Sequence, residues 1–442
     1  MLWIDLAVLL TCILFGARLG GIGLGAVGAL GMSVLVFGFG DMPGSFPGEV
    51  LVIVLCVVTA AAALQAAGGL NLMVSLAEKL LRKHPQRITI LAPLISYVFT
   101  FVCGTGHVSY SLLPIIAEVS RKVKERPERP LSISVIASQF AVTASPLSAA
   151  TAGMVALFSK NDSFGLKDIL IVCVPSTVIG LIAGALSVLK KGADLDQDPV
   201  FLERLQKGQL QSETEASARM NIAPLGAKWS VALFIGAALV ITLLGLLPNV
   251  RPQFTVNGST EKLSMVESIA LVSLSATALM LIFSKISPEA VVSAGVMRSG
   301  IIAIISILGI AWLGSTFFEG HKDQILGAIS GYLMQYPWLF SVTLFLLSIL
   351  LYSQAATVAA LMGVGLQLGI APPHLIAMFP ACNGFFFLPT YATMVAAIQF
   401  DTTGTTRVGR LVLNHSFMRP GLVVTIVSLA VGFAIARFFY GV

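Results

Sequence analysis

Residues 88–119 read ITILAPLISYVFTFVCGTGHVSYSLLPIIAEV, an apolar run with basic residues before and after it. Basic loops are retained on the cytoplasmic side of a bilayer, so both ends of the run are expected there. One helical crossing takes about 20 residues and two take about 40, and a run of this length fits neither. Its middle, Gly104–His107, is polar and permissive, which membrane depth tolerates only where backbone lines a cavity or is buried in protein. The run therefore predicts a re-entrant hairpin.

The composition of the chain excludes a water-soluble fold. Of its 442 residues 56% are hydrophobic and 11% are charged, which predicts an all-α polytopic membrane protein. The net charge of +6 comes from basic residues in short loops, where they orient helices, so nucleic acid is excluded as a partner. The five cysteines lie in apolar segments without metal-ligand spacing, so no metal is expected. No Ser–His pair, HExxH or paired Asp motif appears, which argues against an enzyme.

The apolar runs divide the chain into two similar halves. The first, residues 1–189, is expected to contain the hairpin at 88–119, a broken segment at 131–159, and spans near 2–17, 20–39, 50–68 and 166–189. Residues 190–228 are polar and predict a cytoplasmic linker with one amphipathic helix near 201–210. The second half, 229–442, is expected to contain a hairpin at 337–370, a broken segment at 373–400, and spans near 229–248, 264–284, 298–318 and 420–440.

The positions of basic residues give the two halves opposite orientations. With the feet of the first hairpin in the cytoplasm, Arg18, Lys190, Lys285 and Arg407 also fall inside, and both termini fall in the periplasm. Each half then has three spans, a re-entrant hairpin, a broken transmembrane helix and a final span, starting from opposite sides. We therefore predict two inverted-topology repeats, an arrangement that places substrate near the bilayer midplane, where broken helices meet.

Two prolines mark where the broken segments should unwind. Pro146 and Pro389 each remove a backbone donor and clash with the preceding turn. Polar residues at both breaks and both hairpin tips are predicted to bind substrate. They are Thr143, Ser145, Ser148, Asn383 and Thr390 at the breaks, and Thr105, Gly106, His107, Ser109, Ser353, Gln354 and Thr357 at the tips. The alternative for each hydroxyl is a hydrogen bond to its own helix backbone, and for the histidine a cap on a backbone carbonyl.

The predicted site lacks a fixed positive charge. Residues 88–119, 131–159, 299–318 and 337–400 contain no Lys or Arg. An anionic substrate would therefore be bound by the positive ends of half-helices and by hydroxyl and amide donors. Two tips that face each other would bind two carboxylates, one at each tip. Because no Asp or Glu lies mid-span in these segments, a cation pump with a carboxylate relay is not expected.

Charged residues near the cytoplasmic side suggest two further roles. Glu78 and Arg82 are four residues apart on a helix, and together with Arg126 they would form a gate or an electrostatic funnel for anions. The alternative is that these charges only orient helices. Asp401 begins a polar turn, 401–407, which either joins two helices or contacts a partner protein.

Motifs spread over nearly the whole chain carry a resemblance to a known family. They include GARLGGIGLG from Gly16, AEKLLRKHPQ from Ala77, CGTGHVSYSLLPII from Cys103, ASPLSAA from Ala144, SQAAT from Ser353, FFLPTYAT from Phe386 and IQFDTTGTTRVGRLVLNHSF from Ile398. Together they resemble the anaerobic C4-dicarboxylate transporter family, Dcu, and its DcuB type more closely than its DcuA type. The GTGH tip resembles the DcuB type, whereas LGST at 313–316 is closer to DcuA-like sequences, so the subtype stays open.

This resemblance implies a bacterial inner-membrane carrier of C4-dicarboxylate anions that exchanges external fumarate, malate or aspartate for internal succinate, without a cofactor. It implies the ion-transporter superfamily fold, in which two hairpin tips bind a dicarboxylate. It also implies an association of DcuB-type members with a membrane sensor histidine kinase, for which Asp401 would be a contact. A sodium- or proton-coupled carboxylate importer is the alternative function, and a homodimer stays open as an assembly.

Overall fold

The computed structural model describes residues 1–19, 22–44, 46, 48–158, 164–207, 225–256, 259–351, 353–389, 391–409 and 414–442. Within these ranges, seven helices are long and apolar enough to cross a membrane. A bent pair, Pro372–Phe387 and Ala392–Phe400, makes an eighth span if it is counted as one. The chain is therefore an all-α polytopic membrane protein, as the composition predicts.

A π-helical turn, Val34–Phe39, extends the second helix of the first half, whose described residues include nine α-helices. They are α1 (Leu2–Leu19), α2 (Gly23–Ser33), α3 (Gly48–Ala66), α4 (Gly69–Lys83), α5 (Ile88–Cys103), α6 (Ser109–Lys122), α7 (Glu128–Val142), α8 (Ala149–Phe158) and α9 (Leu166–Val188). A short helix, α10 (Pro199–Gln206), lies where the sequence predicts an amphipathic linker helix. The carboxylate of Asp198 caps α10 by accepting a hydrogen bond from the Phe201 amide at 3.0 Å.

The second half repeats this order. Its helices are α11 (Leu225–Leu246), α12 (Met265–Ser284), α13 (Pro288–Ser293), α14 (Gly295–Gln335), α15 (Leu339–Leu351), α16 (Gln354–Thr357), α17 (Gly363–Gln367), α18 (Pro372–Met378), α19 (Ala392–Phe400) and α20 (Met418–Tyr440). A π-helical turn, Val358–Met362, joins α16 to α17, and a 3-10 helix, Phe379–Phe387, follows α18.

Two features of the second half differ from the sequence expectation. Helix α14 continues well past the expected end of its span at 318, and its backbone leaves helical geometry at His321 (φ −124°, ψ 15°). The helix resumes after this kink, beyond the span that the sequence predicts near 298–318. Between α11 and α12, strands β1 (Gln253–Val256) and β2 (Ser259–Lys262) form a small antiparallel hairpin that the sequence analysis did not predict.

Each re-entrant hairpin reverses over a short tip, and at the first tip a 3-10 turn, Gly106–Val108, leads into α6. Helix α5 ends at Gly104, whose positive φ of 70° is a left-handed conformation that glycine adopts without strain. A Cβ at Gly104 would lie 2.4 Å from the carbonyl oxygen of Leu147, so this tip packs directly on the first break. In the second hairpin, the hydroxyl of Ser353 caps α16 by accepting a hydrogen bond from the Ala356 amide at 3.2 Å.

The two broken helices unwind close to the predicted prolines. Residues 143–148 separate α7 from α8, and residues 388–391 separate the 3-10 helix from α19, with Pro146 and Pro389 inside these gaps. At the first break, the Ser148 hydroxyl donates to the Val142 carbonyl at 2.6 Å and accepts from the Thr151 amide at 3.0 Å. Side chains thus replace hydrogen bonds that the broken helix has lost.

Helix packing repeats between the halves and separates the molecule into two groups. The pairs α1–α2 and α11–α12 correspond, as do α2–α14 and α3–α12, and α9 packs extensively on α20. Residues 2–66 and 225–321, here called the framework group, pack mainly among themselves. The hairpins, broken helices, α9 and α20, here called the hairpin group, do likewise. The expected fold of two repeats with re-entrant hairpins and broken helices is therefore confirmed, while the boundaries 1–189, 190–228 and 229–442 stay predictions.

Candidate functional site

A cavity of about 640 Å³ lies between the framework group and the two hairpin tips. This volume is within the range of roughly 300–1,000 Å³ that is typical of small-molecule sites. The hairpin group contributes Cys103, Gly104, Thr105, Gly106, Gln139, Val142, Leu147, Ala149, Ala150, Leu351, Ser353, Gln354, Ala355, Tyr391 and Ala392. The framework group contributes Leu24, Val54, Val57, Val58, Ala61, Val296, Ser299, Gly300, Ile302, Ala303 and Ser306. Among these described residues, none is Lys, Arg, Asp or Glu.

The first tip places Thr105 and Gly106 in the cavity wall. Ser109 is buried behind them, and its hydroxyl donates to the Gly106 carbonyl and, at 3.2 Å, to the hydroxyl of Ser138. Ser109 therefore supports the tip from the side away from the cavity. The side chain of His107, which the sequence places at the tip, is outside the part of the chain that the structure describes.

The second tip places Ser353 and Gln354 in the same wall. The Gln354 amide nitrogen donates to Asn383 Oδ1 at 3.0 Å and to Gln139 Oε1 at 3.2 Å. Asn383 is thus in hydrogen-bond contact with the tip but does not itself line the cavity. Thr357 is fully buried, and its hydroxyl donates to the Ser353 carbonyl at 2.8 Å, which is the local bond expected for a hydroxyl inside a helix.

The predicted site residues at the first break are turned away from the cavity. Thr143 donates to the Phe140 carbonyl at 2.8 Å, and Ser145 donates to the Phe101 carbonyl at 2.6 Å. Together with Ser148 they are fully buried and stabilise the unwound backbone. Thr390 at the second break lies outside the described residues, and its neighbour Tyr391 lines the cavity instead.

Four polar cavity residues were not among the predicted site residues, namely Gln139, Tyr391, Ser299 and Ser306. A usable signal existed for Gln139, because the dipeptide Ser138-Gln139 recurs as Ser353-Gln354 in the second half. Ser299 and Ser306 lie on α14 in an ordinary apolar span, and their spacing of seven residues indicates only a shared helix face.

The predicted gate residues fall into two separate ion-pair systems. Arg82 contacts Glu78 at 2.8 Å and Glu118 at 3.1 Å, which ties α4 to the second arm of the first hairpin. Arg126 is buried and pairs with Glu128 and Asp198. None of the three predicted residues lines the cavity, so a gate or funnel formed by Glu78, Arg82 and Arg126 stays a prediction.

Around Arg126, buried charges join the hairpin group to the linker. Glu128 at the start of α7 contacts Arg126 at 2.6 Å and Lys191 at 2.9 Å, and accepts from the Ser416 hydroxyl at 2.8 Å. Burial raises the pKa of Glu128, but Lys191 and the hydrogen bonds together outweigh it and hold the pKa below its ordinary value. The ionised form is therefore favoured in the folded protein.

Asp401 is buried rather than exposed to a partner. Its carboxylate accepts hydrogen bonds from the Thr403 amide at 3.0 Å, the Thr405 hydroxyl at 2.8 Å and the Thr406 amide at 2.6 Å. These bonds shape the turn 401–406, which is flanked by the exposed side chains of Phe400 and Arg407. Asp401 thus serves the turn itself, and its contact with another protein stays a prediction.

Re-entrant hairpins and broken helices that converge on one central cavity are the architecture of secondary membrane transporters, and this chain is a transporter of that class. Its fold is similar to that of the YdaH transporter of Alcanivorax borkumensis, with a TM-score of 0.58 and 15% identity over 99% of this chain and 98% of the other. The fold is also similar to that of MtrF of Neisseria gonorrhoeae, with a TM-score of 0.55 and 13% identity over 93% of this chain and 84% of the other.

The chain belongs to the anaerobic C4-dicarboxylate membrane transporter family, whose sequence model matches residues 1–440. Similar relatives carry names of both types. The C4-dicarboxylate transporter DcuA of Wolinella succinogenes is 42% identical, covering 99% of each chain. The anaerobic C4-dicarboxylate transporter DcuB of Escherichia coli O6:H1 is 40% identical, covering 99% of this chain and 98% of the relative. The resemblance in the motifs is thus confirmed for the family.

Proposed function

We propose that this protein exchanges C4-dicarboxylates across the bacterial inner membrane, moving fumarate, malate or aspartate in and succinate out by alternating access. The observation that carries the proposal is that both hairpin tips, Thr105–Gly106 and Ser353–Gln354, meet at one cavity without charged side chains in its described lining. The names of the relatives supply the substrate class. Both chain termini are placed in the periplasm under this proposal.

Backbone and side-chain donors at the tips would bind the substrate. The 3-10 turn Gly106–Val108, which leads into α6, begins at the first tip, and α16, which leads through a π-helical turn into α17, begins at the second. Backbone N–H groups at the starts of such helical segments favour negative charge. One carboxylate at each tip would then be bound without a Lys or Arg. A four-carbon diacid, with one carboxylate at each end, fits this arrangement.

Alternating access would follow from movement of the hairpin group against the framework group. The cavity wall is shared by both groups, and contacts between them are sparser than contacts within them. Such a movement would carry both tips together, because they belong to the same group. Substrate would then be exposed to one side of the membrane at a time.

Exchange in proteoliposomes tests the proposal. Vesicles filled with unlabelled succinate should accumulate radiolabelled fumarate, and should do so after sodium, proton and potassium gradients have been collapsed. Uptake that instead requires a sodium or proton gradient and ignores internal succinate would identify the coupled importer. Absence of counterflow under every gradient would rule out the proposed exchange.

Removing a donor at either tip should weaken substrate binding. We expect Thr105→Val and Ser353→Ala each to raise the half-saturating succinate concentration by about tenfold, because a buried carboxylate loses a hydrogen-bond donor. The matched control is Thr242→Val on framework helix α11, whose hydroxyl bonds only to the Ala238 carbonyl of its own helix. Equal affinity in the wild type and both tip variants would remove the tips from the binding site.

A further inference from the structure

We infer that Gln139 sets the separation of the two hairpin tips and thereby the length of dicarboxylate that the cavity accepts. This inference rests on the proposed function, since it assigns a determinant of specificity to the same site. Gln139 lies on α7, one turn before the first break, and its side chain is buried but lines the cavity. It acts here as a positioning residue.

On one side, the Gln139 amide contacts the first tip. A Cβ built on Gly106 would lie 2.8 Å from Gln139 Nε2 and 3.0 Å from Gln139 Oε1. The absence of a side chain at Gly106 is therefore what lets the tip approach the amide so closely. Moving the first tip outward would open a gap between Gly106 and the Gln139 amide. A methyl group on Gly106 would push the Gln139 amide away.

On the other side, the same amide contacts the second tip. Gln354 Nε2 donates to Gln139 Oε1 at 3.2 Å and lies 3.4 Å from the Gln139 backbone oxygen. Gln139 Nε2 in turn lies 3.4 Å from the Thr393 hydroxyl on α19. One side chain of the first half thus touches both tips and the second broken helix.

The second tip is itself held firmly on its far side. Asn383 Oδ1 accepts from Gln354 Nε2 at 3.0 Å, and Asn383 Nδ2 donates to the Pro380 carbonyl at 3.0 Å. Close packing of Gly106 on the Gln139 amide, and hydrogen bonds from Gln354 to Gln139 and Asn383, therefore connect the first tip to the second broken helix. This series of contacts fixes the distance between the two hairpin tips, each of which would bind one carboxylate.

A fixed distance between the two tips would let the site select diacids by the length of their carbon chain. A diacid with one methylene more or less cannot reach both tips equally well, and one methylene is typically worth about 10-fold to 200-fold in discrimination. Replacing Gln139 should therefore change the preference among diacids more than it changes the amount of folded protein. The helix α7 does not need Gln139 for its own hydrogen bonds, which run through its backbone.

The test compares counterflow of malonate, succinate and glutarate in proteoliposomes of the wild type and Gln139→Met. Methionine keeps the length of the side chain but removes its hydrogen bonds. We expect the ratio of kcat/KM for succinate to that for glutarate to fall about tenfold in the variant. The matched control is Gln367→Met on α17, where glutamine is exposed, and there the ratio should equal that of the wild type.

Two additional variants separate positioning from general damage. Gly106→Ala should lower the same ratio, because its methyl group displaces the Gln139 amide. In a double variant with Gln354→Met, the loss should be smaller than the sum of the losses in the two single variants, since the Gln139–Gln354 contact can be lost only once.

An unchanged ratio in Gln139→Met would overturn the inference, as would additive effects in the double variant. If Gln139→Met does not fold, judged by its thermal melting in detergent, an unchanged ratio in Gly106→Ala has the same consequence. A wild type that does not exchange succinate at all would instead contradict the proposed function.

Discussion

Ser148 shows how a hydroxyl at a break can serve the fold instead of the substrate. It is fully buried, donates to Val142 O at 2.6 Å and accepts from Thr151 N at 3.0 Å. We expect Ser148→Ala to lower the free energy of unfolding by about 1–3 kcal/mol, because a buried carbonyl and amide lose their partner. Thermal melting in detergent measures this, with Ser33→Ala as control, since Ser33 is exposed and bonds only to Ala29 O. Equal melting temperatures in both variants would contradict this role.

Sequence reasoning identified some of the residues that line the cavity and could not place others, for a definite physical reason. Thr105, Gly106, Ser353 and Gln354 line the cavity because a glycine or a helix cap fixes the reversal of the chain at each tip, which is a local property. Whether Ser145 turns toward the cavity or toward Phe101 O is decided by the neighbouring hairpin. Sequence alone could not supply that neighbour, whereas Gln139 had a usable signal in the repeated Ser-Gln dipeptide.

Among the helices and strands, too, features determined by the local sequence were predictable and others were not. The hairpins and breaks were predictable because prolines and glycines act on the adjacent turn. The continuation of α14 beyond His321 and the hairpin β1–β2 were not, because polar residues outside the apolar spans are equally compatible with a loop, a surface helix or a strand. The linker helix α10 was predictable from its amphipathic pattern, although its ends differ by a few residues from the expectation.

The start of α7 should make the stability of the protein depend on pH. Because the pKa of Glu128 is held below its ordinary value in the folded state, its contribution is present above the unfolded pKa of about 4.3 and is lost as the pH falls through the lower folded value. Glu128→Gln should be about 3 kcal/mol less stable at pH 7. Its melting temperature should also fall less than that of the wild type when the pH is lowered from about 5 to values below the unfolded pKa of about 4.3.

The control for this element is Glu203→Gln, an exposed residue that pairs only with Lys207 on α10. Its melting temperature should follow that of the wild type across the same pH range. A Glu128→Gln variant that acidification destabilises as much as the wild type would mean that the charge cluster around Arg126 does not stabilise the fold.

Across the whole molecule, transport should require the two helix groups to move past each other. A Cβ on Gly153 of α8 would lie 3.9 Å from Val50 Cγ1 on α3, so cysteines at these positions would join the hairpin group to the framework group. In a background without the native cysteines, oxidation of Val50→Cys/Gly153→Cys should abolish succinate exchange, and reduction should restore it. Full exchange by the oxidised, cross-linked protein would show that the groups do not move relative to each other there.

The chargeless lining of the cavity has an electrical consequence. Under the proposed exchange, the described walls add no charge of their own, and the charge moved across the bilayer would be that of the exchanged anions. Exchange of one dianion for another would then transfer no net charge and would not depend on the membrane potential. One-way entry of a dianion would work against about 2.3 kcal/mol per charge at 100 mV, so accumulation without a returning anion would require accompanying cations.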